Sequence, residues 1–576
     1  MIKDKFFDRK NYIQILEKRV SSLKEGYRQN IAIIGDENVG KTSIISKFLA
    51  NFYDPRIITV FLEVRPESLD GFARRFIGAL LYNFLLNSGL PLKEDLDYLV
   101  AKSSRYIPKT AERINFILSE LSRRKKINII TELCNLPELI NQETVKLTVL
   151  FLDEFHNLED IGVKNLYREW SKLLIVQKNT LYCLASSRMF KTRVILSKQL
   201  SLLFGNFEII TIEPFDIHTS GCYLDQHIPC LKLNPQLKDF IINFTGGYPL
   251  YLELIADALA KRPEGPGLAS NSQSQRPEGP ACLPARQGLA ANSQSSGLPS
   301  FRQSQADVVA VDLADILEDL LFNTSGILNQ RFSNYIKRFL DVGASNDYVS
   351  IFYLIASGRN RIKDIAHIMH KQKKDLAIRI NYLLELDAIT RSGDFLKISD
   401  RLFAYWVRFV YQEKMRSLSF DAKNQKEKFR DNIQELIAEF AKQSTKPLAN
   451  RVWELLQLFE DDLVQIERKK IRLHHFREVK PLVFGQRFLK DGLLGRSSDA
   501  LWIMAIKSDA LTEQDITEFS KECKRYHHKS QRKIMVTLKE VDPNARLRAL
   551  EEKIWTWDLN SLNQILDLFS KPRVIA

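Results

Sequence analysis

Apolar residues alternate along this chain between two rhythms: short unbroken runs that stop at polar or acidic residues, and longer stretches with helical spacing. Tyr12 to Leu23 is apolar at 12, 13, 16, 20 and 23, which predicts a helix, and Asn30 to Ile34 is a β-branched run suited to a buried strand. Helical spacing follows from Thr42 to Asn51, then a strand-like run from Ile57 to Val64, then helical patterns over Leu69 to Leu86 and Leu92 to Asn141. Three further strand-like runs are Leu147 to Glu154, Thr180 to Ala185 and Phe207 to Ile212. Five buried runs separated by helices predict an α/β fold with a parallel sheet.

Beyond residue 215 the rhythm becomes helical. Phe240 to Leu259 reads as helix, turn and helix about Thr245-Gly246-Gly247-Tyr248-Pro249, a tight C-cap followed by a restart. Residues 262–306 are rich in Pro, Gly, Ser, Gln and Ala, with Arg-Pro-Glu-Gly-Pro at both 262 and 276, and predict a disordered insertion. From Asp347 three short helical patterns lead into a hairpin, Ala388 to Ile398, turned at Ser392-Gly393-Asp394, the order of a winged helix-turn-helix. Helices over Phe429 to Phe459 and strand-like runs at Ala500 to Lys507 and Lys533 to Val541, with helices at Glu513 to Tyr526 and Ser561 to Phe569, predict a small C-terminal α/β domain. The expected units are a core at 1–215, a helical lid at 216–261 and the insertion at 262–306. A continuation of the lid at 307–346, a winged helix at 347–411 and a connector with the last domain at 412–576 complete them.

Chemistry concentrates where the first strand meets its helix. Gly35-Asp36-Glu37-Asn38-Val39-Gly40-Lys41-Thr42 spells G-x-x-x-x-G-K-T, a turn whose backbone N–H groups can face a polyphosphate. Residues 35 to 43, Ser43 included, are the candidate nucleotide contacts, with Lys41 reaching the β- and γ-phosphates and Thr42 placing its hydroxyl on Mg²⁺. Leu147 to Glu154 ends in two acids where open α/β sheets bind ligands. Asp153 is assigned to the Mg²⁺ shell, and Glu154 to polarising the water that attacks ATP. Ser186 and Ser187, at the end of another strand, are candidate γ-phosphate sensors or simple turn residues.

The formal charge of +14 at 45% hydrophobic content favours anionic partners without choosing between nucleic acid, nucleotide and ordinary solubility. Lys371, Lys373, Lys374 and Arg379 on the third helix of the winged unit and Arg391 on its wing fit contacts to double-stranded DNA, or a solvated face. Six scattered cysteines form no C-x-x-C pair, and neither an apolar leader nor a run near 18 apolar residues occurs. The setting expected from these features is cytoplasmic, with no membrane partner.

With these motifs in place, the chain resembles the archaeal-type ATPases of the AAA+ and STAND groups. Phe7-Asp8-Arg9 looks like their N-terminal entry, and Thr245 to Pro249 like their lid turn. The resemblance spans residues 6 to 411 and implies a P-loop NTPase sheet in the order 5-1-4-3-2, a helical lid and a winged helix. It further implies an ATP-hydrolysing switch with ATP and Mg²⁺, acting with a protein partner or as a homo-oligomer. The arginine such proteins carry near the fifth strand is here Gly205-Asn206, leaving Arg188 or Arg193 as candidate arginine fingers. The tail looks like a restriction-endonuclease-type fold with Asp499 and Lys507, but with Ala505 where a metal-binding acid is expected. A DNA-binding regulator or interaction scaffold holding ATP without turnover is the alternative, and a nuclease a third.

Overall fold

The computed structural model describes residues 6–122, 129–163, 165–200, 207–228, 234–261, 313–340, 345–416, 422–466, 469–484, 489, 491–526 and 531–576. The predicted insertion and Gly205-Asn206 lie outside them.

Strands β1 (Asn30–Ile34), β2 (Ile57–Glu63), β3 (Leu147–Asp153), β4 (Thr180–Ser186) and β5 (Phe207–Thr211) pair in parallel in the order β2-β3-β4-β1-β5. That is the expected order counted from the opposite edge. Both faces of the sheet are covered, which is why its central strands read as unbroken apolar runs. Helices α1 (Lys10–Lys24) and α2 (Lys41–Asn51) help bury one face, and α3 (Leu69–Asn87), α6 (Ile129–Thr144) and α7 (Leu166–Val176) the other, with α4 (Leu96–Ser103) and α5 (Pro108–Ser122) outside α3.

After the short helix α8 (Met189–Val194) and strand β5 come α9 (Ile217–His227), α10 (Pro235–Thr245) and α11 (Pro249–Lys261). Gly246 ends α10 in the left-handed region and Gly247 follows at φ 81°. A Cβ on Gly247 would lie 2.1 Å from the carbonyl oxygen of Phe215, whose N–H donates to the Gly247 carbonyl at 2.9 Å. The double glycine therefore fastens the helical region to the chain leaving β5.

Helix α12 (Ile327–Leu340) precedes α13 (Ser345–Ala356), α14 (Ile362–Ile368), α15 (Lys373–Glu385) and the antiparallel hairpin β6 (Ile389–Ser392) and β7 (Phe395–Ile398). The three helices and the hairpin lie where their patterns predicted, and the hairpin tip is covered. Asp394 N donates to Leu463 O at 2.8 Å, Leu463 N donates to Asp394 Oδ2 at 2.8 Å, and Ser392 Oγ donates to Gln465 O at 2.8 Å. Those partners belong to β8 (Asp462–Ile466), which with β9 (Lys469–Leu473) forms a hairpin of its own.

Past α16 (Arg401–Trp406), α17 (Ala422–Ser444) and α18 (Leu448–Leu456), a second five-stranded sheet runs β10 (Glu478–Val483), β11 (Asp491–Arg496), β12 (Leu501–Lys507), β13 (Gln531–Thr537) and β14 (Ile554–Trp557). Its first two pairings are antiparallel and its last two parallel, with α19 (Glu513–Cys523) and α20 (Pro543–Glu551) in the two parallel connections and α21 (Leu559–Leu568) after the last strand. The expected strand to Val541 stops at Thr537, and the expected helix to Tyr526 stops at Cys523.

One expectation is overturned here. Asp499 precedes β12 and Lys507 ends it, so a strand of about 20 Å separates the two residues assigned to one nuclease site. Lys507 Nζ instead bonds Asp515 at 2.7 Å, whereas Asp499 bonds Ser497 and Ser498. The acid across the ladder near Lys507 is Asp491, paired with Ile506.

A buried anion ties the last helix to the rest. Asp567 on α21 accepts from Lys397 of β7 at 2.6 Å, Arg401 of α16 at 2.8 Å and Arg573 at 2.8 Å. Burial works against its charge, yet the three cations hold its carboxyl far below the ordinary range. Asn243 of α10 joins the cluster, accepting from Arg401 and from the N–H of Arg573. Asp567→Asn leaves three cations without their anion and should destabilise the fold by about 3–5 kcal/mol, read as a lowered urea midpoint.

Candidate functional site

The turn between β1 and α2 is built by close approach and positive φ. A Cβ on Gly35 would meet the Ile212 carbonyl oxygen at 2.4 Å, and Gly40 sits at φ 96°. Asn38, at φ 68°, occupies a region its short polar side chain tolerates, and Val39 is fully buried. These constraints fix residues 35–42 at the carboxyl end of β1.

Inside the turn, Lys41 is 5% exposed, and its ammonium donates to the carbonyls of Gly35 at 2.9 Å and Asp36 at 2.8 Å. Burial lowers its pKa in spite of Glu154, Asp153, Glu37 and Asp36 around it. Thr42 Oγ1 donates to Asp153 Oδ2 at 2.6 Å, so the hydroxyl and the carboxylate read from separate motifs converge.

Glu154 follows Asp153 at φ 50°. Its Oε2 accepts from Ser187 N at 3.0 Å and Ser187 Oγ at 2.8 Å, and lies 3.3 Å from His156 Nδ1. Burial raises the Glu154 pKa, against the Ser187 bonds and Lys41. His156 Nδ1 also stands 2.8 Å from Ser186 Oγ, and burial together with Lys191, Arg188 and Lys41 pushes its pKa down to about 3. Ser187 thus holds the acid directly, and Ser186 meets the histidine beside it.

A cavity of about 300 Å³ opens over the turn, bounded by Asp36, Glu37 and Asn38 on one side and by Arg188, Arg331 and Asp387 on others. Arg188 donates to the Leu386 carbonyl, and Asp387 accepts from Phe190 N at 3.0 Å, so the turn after α15 is docked on the start of α8. Burial pushes the Asp387 carboxyl up to about 6. Arg331 of α12 pairs with Glu37 at 2.6 Å, and Tyr248 of the glycine turn donates to Asp36 Oδ2 at 2.7 Å. Arg193 is exposed and does not border this cavity.

The structure assembles Lys41, Thr42, Asp153, Glu154, Ser186, Ser187 and Arg188 in one place. The cations on the third helix lie elsewhere. Lys371 and Arg379 are tied to Asp347 at 2.7 and 2.6 Å, Lys373 and Lys374 are exposed, and Arg391 Nε donates to the Gly393 carbonyl. Sequence reasoning missed His156, Tyr248, Arg331 and Asp387. His156 left a local signal, two residues after the paired acids, and Tyr248 stands inside the glycine turn.

Residues 6–255 match the model of an ATPase domain found predominantly in Archaea. An uncharacterized ATP-binding protein of Methanocaldococcus jannaschii is 24% identical over 276 residues, 46% of this chain and 72% of the relative. The Walker-type ATPase of Pyrococcus abyssi is similar in structure at 15% identity, over 70% of this chain and 97% of that one, with a TM-score of 0.42. The Aeropyrum pernix ORC2 protein, solved in ADPNP–ADP complexes, is similar at 10% identity over 76% and 96% of the two chains, with a TM-score of 0.38. No helix among the described residues is long and apolar enough to cross a membrane. Parallel sheet and phosphate-binding turn agree with the match of residues 6–255 to an ATPase domain found predominantly in Archaea.

Proposed function

We propose that this protein hydrolyses ATP and uses the bound nucleotide to bias a winged-helix unit, residues 347–411, that engages duplex DNA. The observation that carries the reading is the double attachment of Ser187 and Arg188, which follow β4: Ser187 holds Glu154, and Arg188 holds the Leu386 carbonyl.

The triphosphate enters the turn at residues 35–43 and takes the Lys41 ammonium from the two carbonyls it now contacts. Thr42 and Asp153 fit Mg²⁺, because their oxygens already converge at 2.6 Å and both are hard donors. Bound there, the ion would neutralise charge on the β- and γ-phosphates. Glu154 turns from Ser187 to accept a proton from the attacking water. The water oxygen bonds the γ-phosphorus as the bond to the β-phosphate oxygen breaks, and ADP leaves with that electron pair. Arg331 exchanges Glu37 for phosphate, and Arg188 exchanges the Leu386 carbonyl for phosphate. That exchange loosens the winged-helix unit from α8, so nucleotide state shifts its orientation.

Steady-state turnover tests the reading with wild type beside Glu154→Gln and Lys41→Ala. Both variants should lose at least about 100-fold in kcat, with ATP binding retained in Glu154→Gln and weakened in Lys41→Ala. Tight ATP binding by wild type without turnover, with or without duplex DNA, would instead support a nucleotide held for structure.

A second expectation concerns acid. His156 stays neutral in the folded protein while the unfolded imidazole takes up a proton near pH 6.5, so the unfolded state binds more protons below that pH. Stability therefore falls as the pH drops from 7 to 5, by about 2 kcal/mol from this group. His156→Gln should show a correspondingly shallower fall in urea titrations at the two pH values.

A further inference from the structure

The second sheet has two edges, and the sequence treats them differently. β10 is blunted by Pro481 inside it and by the charges of Glu478 and Lys480, paired with each other at 2.7 Å. β14 reads Ile554-Trp555-Thr556-Trp557, with neither a proline nor a charge, and among the described residues no strand pairs with its outer edge. A strand bonded on one side only leaves N–H and C=O groups facing outward on the other.

A cleft of about 220 Å³ follows that edge, lined by residues 554–558. One wall is α20, through Arg546, Ala549 and Leu550, and the other is the β8–β9 hairpin, through Ile466, Lys469 and Ile471. Trp555 and Trp557 pack with the hairpin's core cluster and Ile554 with the cluster under α20, so the edge lies level with the gap between the two walls. Leu550 is 59% exposed, although α20 already buries Ala545 and Ala549 inward. Arg546 and Lys469 are exposed, one on each wall. The acids at hand are engaged elsewhere. Asp558 caps α21, accepting from Ser561 N and Oγ at 2.8 and 2.7 Å, and Glu551 and Glu552 pair with Arg548 at 2.8 and 3.1 Å. The charge left over in the cleft is positive.

We propose that the outer edge of β14 takes an extended, acid-bearing segment of a partner protein as a sixth strand, seated between α20 and the hairpin with its carboxylates at Arg546 and Lys469. Strand addition draws affinity from main-chain hydrogen bonds and selectivity from alternate side chains. Here those side chains meet Leu550 and Ala549 on one wall and Ile466 and Ile471 on the other. A gap level with the sheet admits a strand at the usual spacing of about 5 Å, whereas a helix is about 10 Å across. A second β14 edge is disfavoured, because two copies meeting there would bring both sets of cations to one seam. No residue of the cleft borders the cavity over the phosphate turn, so peptide binding and ATP turnover can be lost separately.

The test selects peptides from a randomised display pool on the immobilised full chain, then measures the enriched sequence as a fluorescein-labelled synthetic peptide by anisotropy. Enriched peptides should combine β-branched residues with glutamate or aspartate. The Arg546→Glu/Lys469→Glu pair, and N-methylation of alternate peptide residues, should each weaken binding by at least about tenfold. Leu550→Asp should weaken it as well, and none of these exposed substitutions should move the urea midpoint. Adding the peptide should slow amide hydrogen exchange at residues 554–558. Enrichment of no acid-bearing motif, full binding of the N-methylated peptide, affinity untouched by the charge-reversed pair, or protection confined to other residues would overturn the proposal. Concentration-dependent self-association lost in Leu550→Asp would assign the edge to a second copy of this chain and overturn it too.

Discussion

Oε2 of Glu154 is the atom on which most of this structure converges. It follows β3, whose aspartate meets Thr42, and it is held by the N–H and hydroxyl of Ser187, just past β4. An acid buried beside Lys41 needs such donors, because an ionised carboxylate without partners would shed its charge by taking a proton. The same need explains His156. Its ring contacts Ser186 and the acid while burial, with Lys191 and Arg188 at α8 and Lys41 in the phosphate turn, keeps it neutral, so it orders the site without adding a charge to it. Position, rather than new covalent chemistry, is what the protein supplies to phosphoryl transfer, and these few hydrogen bonds set the position.

The core of the fold was legible because a parallel sheet covered on both faces writes itself as unbroken apolar runs, and because the phosphate turn has a fixed spelling. Strands β8 to β11 were not legible for the opposite reason. Lys469-Lys470-Ile471-Arg472-Leu473 alternates and shows too little apolar length to stand out, and Pro481 lies within β10. Candidate-site residues divided in the same way. Those on the glycine turn and the acid-ended strand could be named from local order, whereas Arg331 lies 294 residues from Glu37 in the chain and meets it only through the helical packing. Asp499 and Lys507 failed as a pair because spacing along one strand was taken for proximity, when residues at the two ends of a strand face different ends of the sheet.

Net charge proved a poor guide to where an anion would bind. Among the described residues, many cations are spent internally: Lys397, Arg401 and Arg573 on Asp567, Arg361 on Asp462, Lys371 and Arg379 on Asp347. These are structural ties between segments far apart in sequence. The Asp567 cluster is the clearest case, since it joins the second sheet's last helix to the hairpin, to α16 and, through Asn243, to the helix that ends at the double glycine. Lys373 and Lys374 differ in kind, because they stand exposed on the outside of α15.

A switch needs an element that both sites can bias, and proximity alone does not provide one. Helix α15 meets the requirement in its geometry. Its carboxyl end borders the cavity over the phosphate turn through Leu386 and Asp387, while its outer face is turned to solvent. The attachment is also weak enough to exchange. Arg188 offers its guanidinium to a neutral carbonyl, whereas a phosphate oxygen adds an opposite charge to the hydrogen bond and can accept from the guanidinium in parallel pairs. Asp387, held near the top of the carboxylate range by burial, caps α8 through a single backbone N–H. The hairpin, in contrast, is bolted to β8 and to Asp567. In the proposed switch the contact at Arg188 is the one nucleotide would exchange, while the bonds of the hairpin to β8 and Asp567 would keep the unit attached as its orientation shifts.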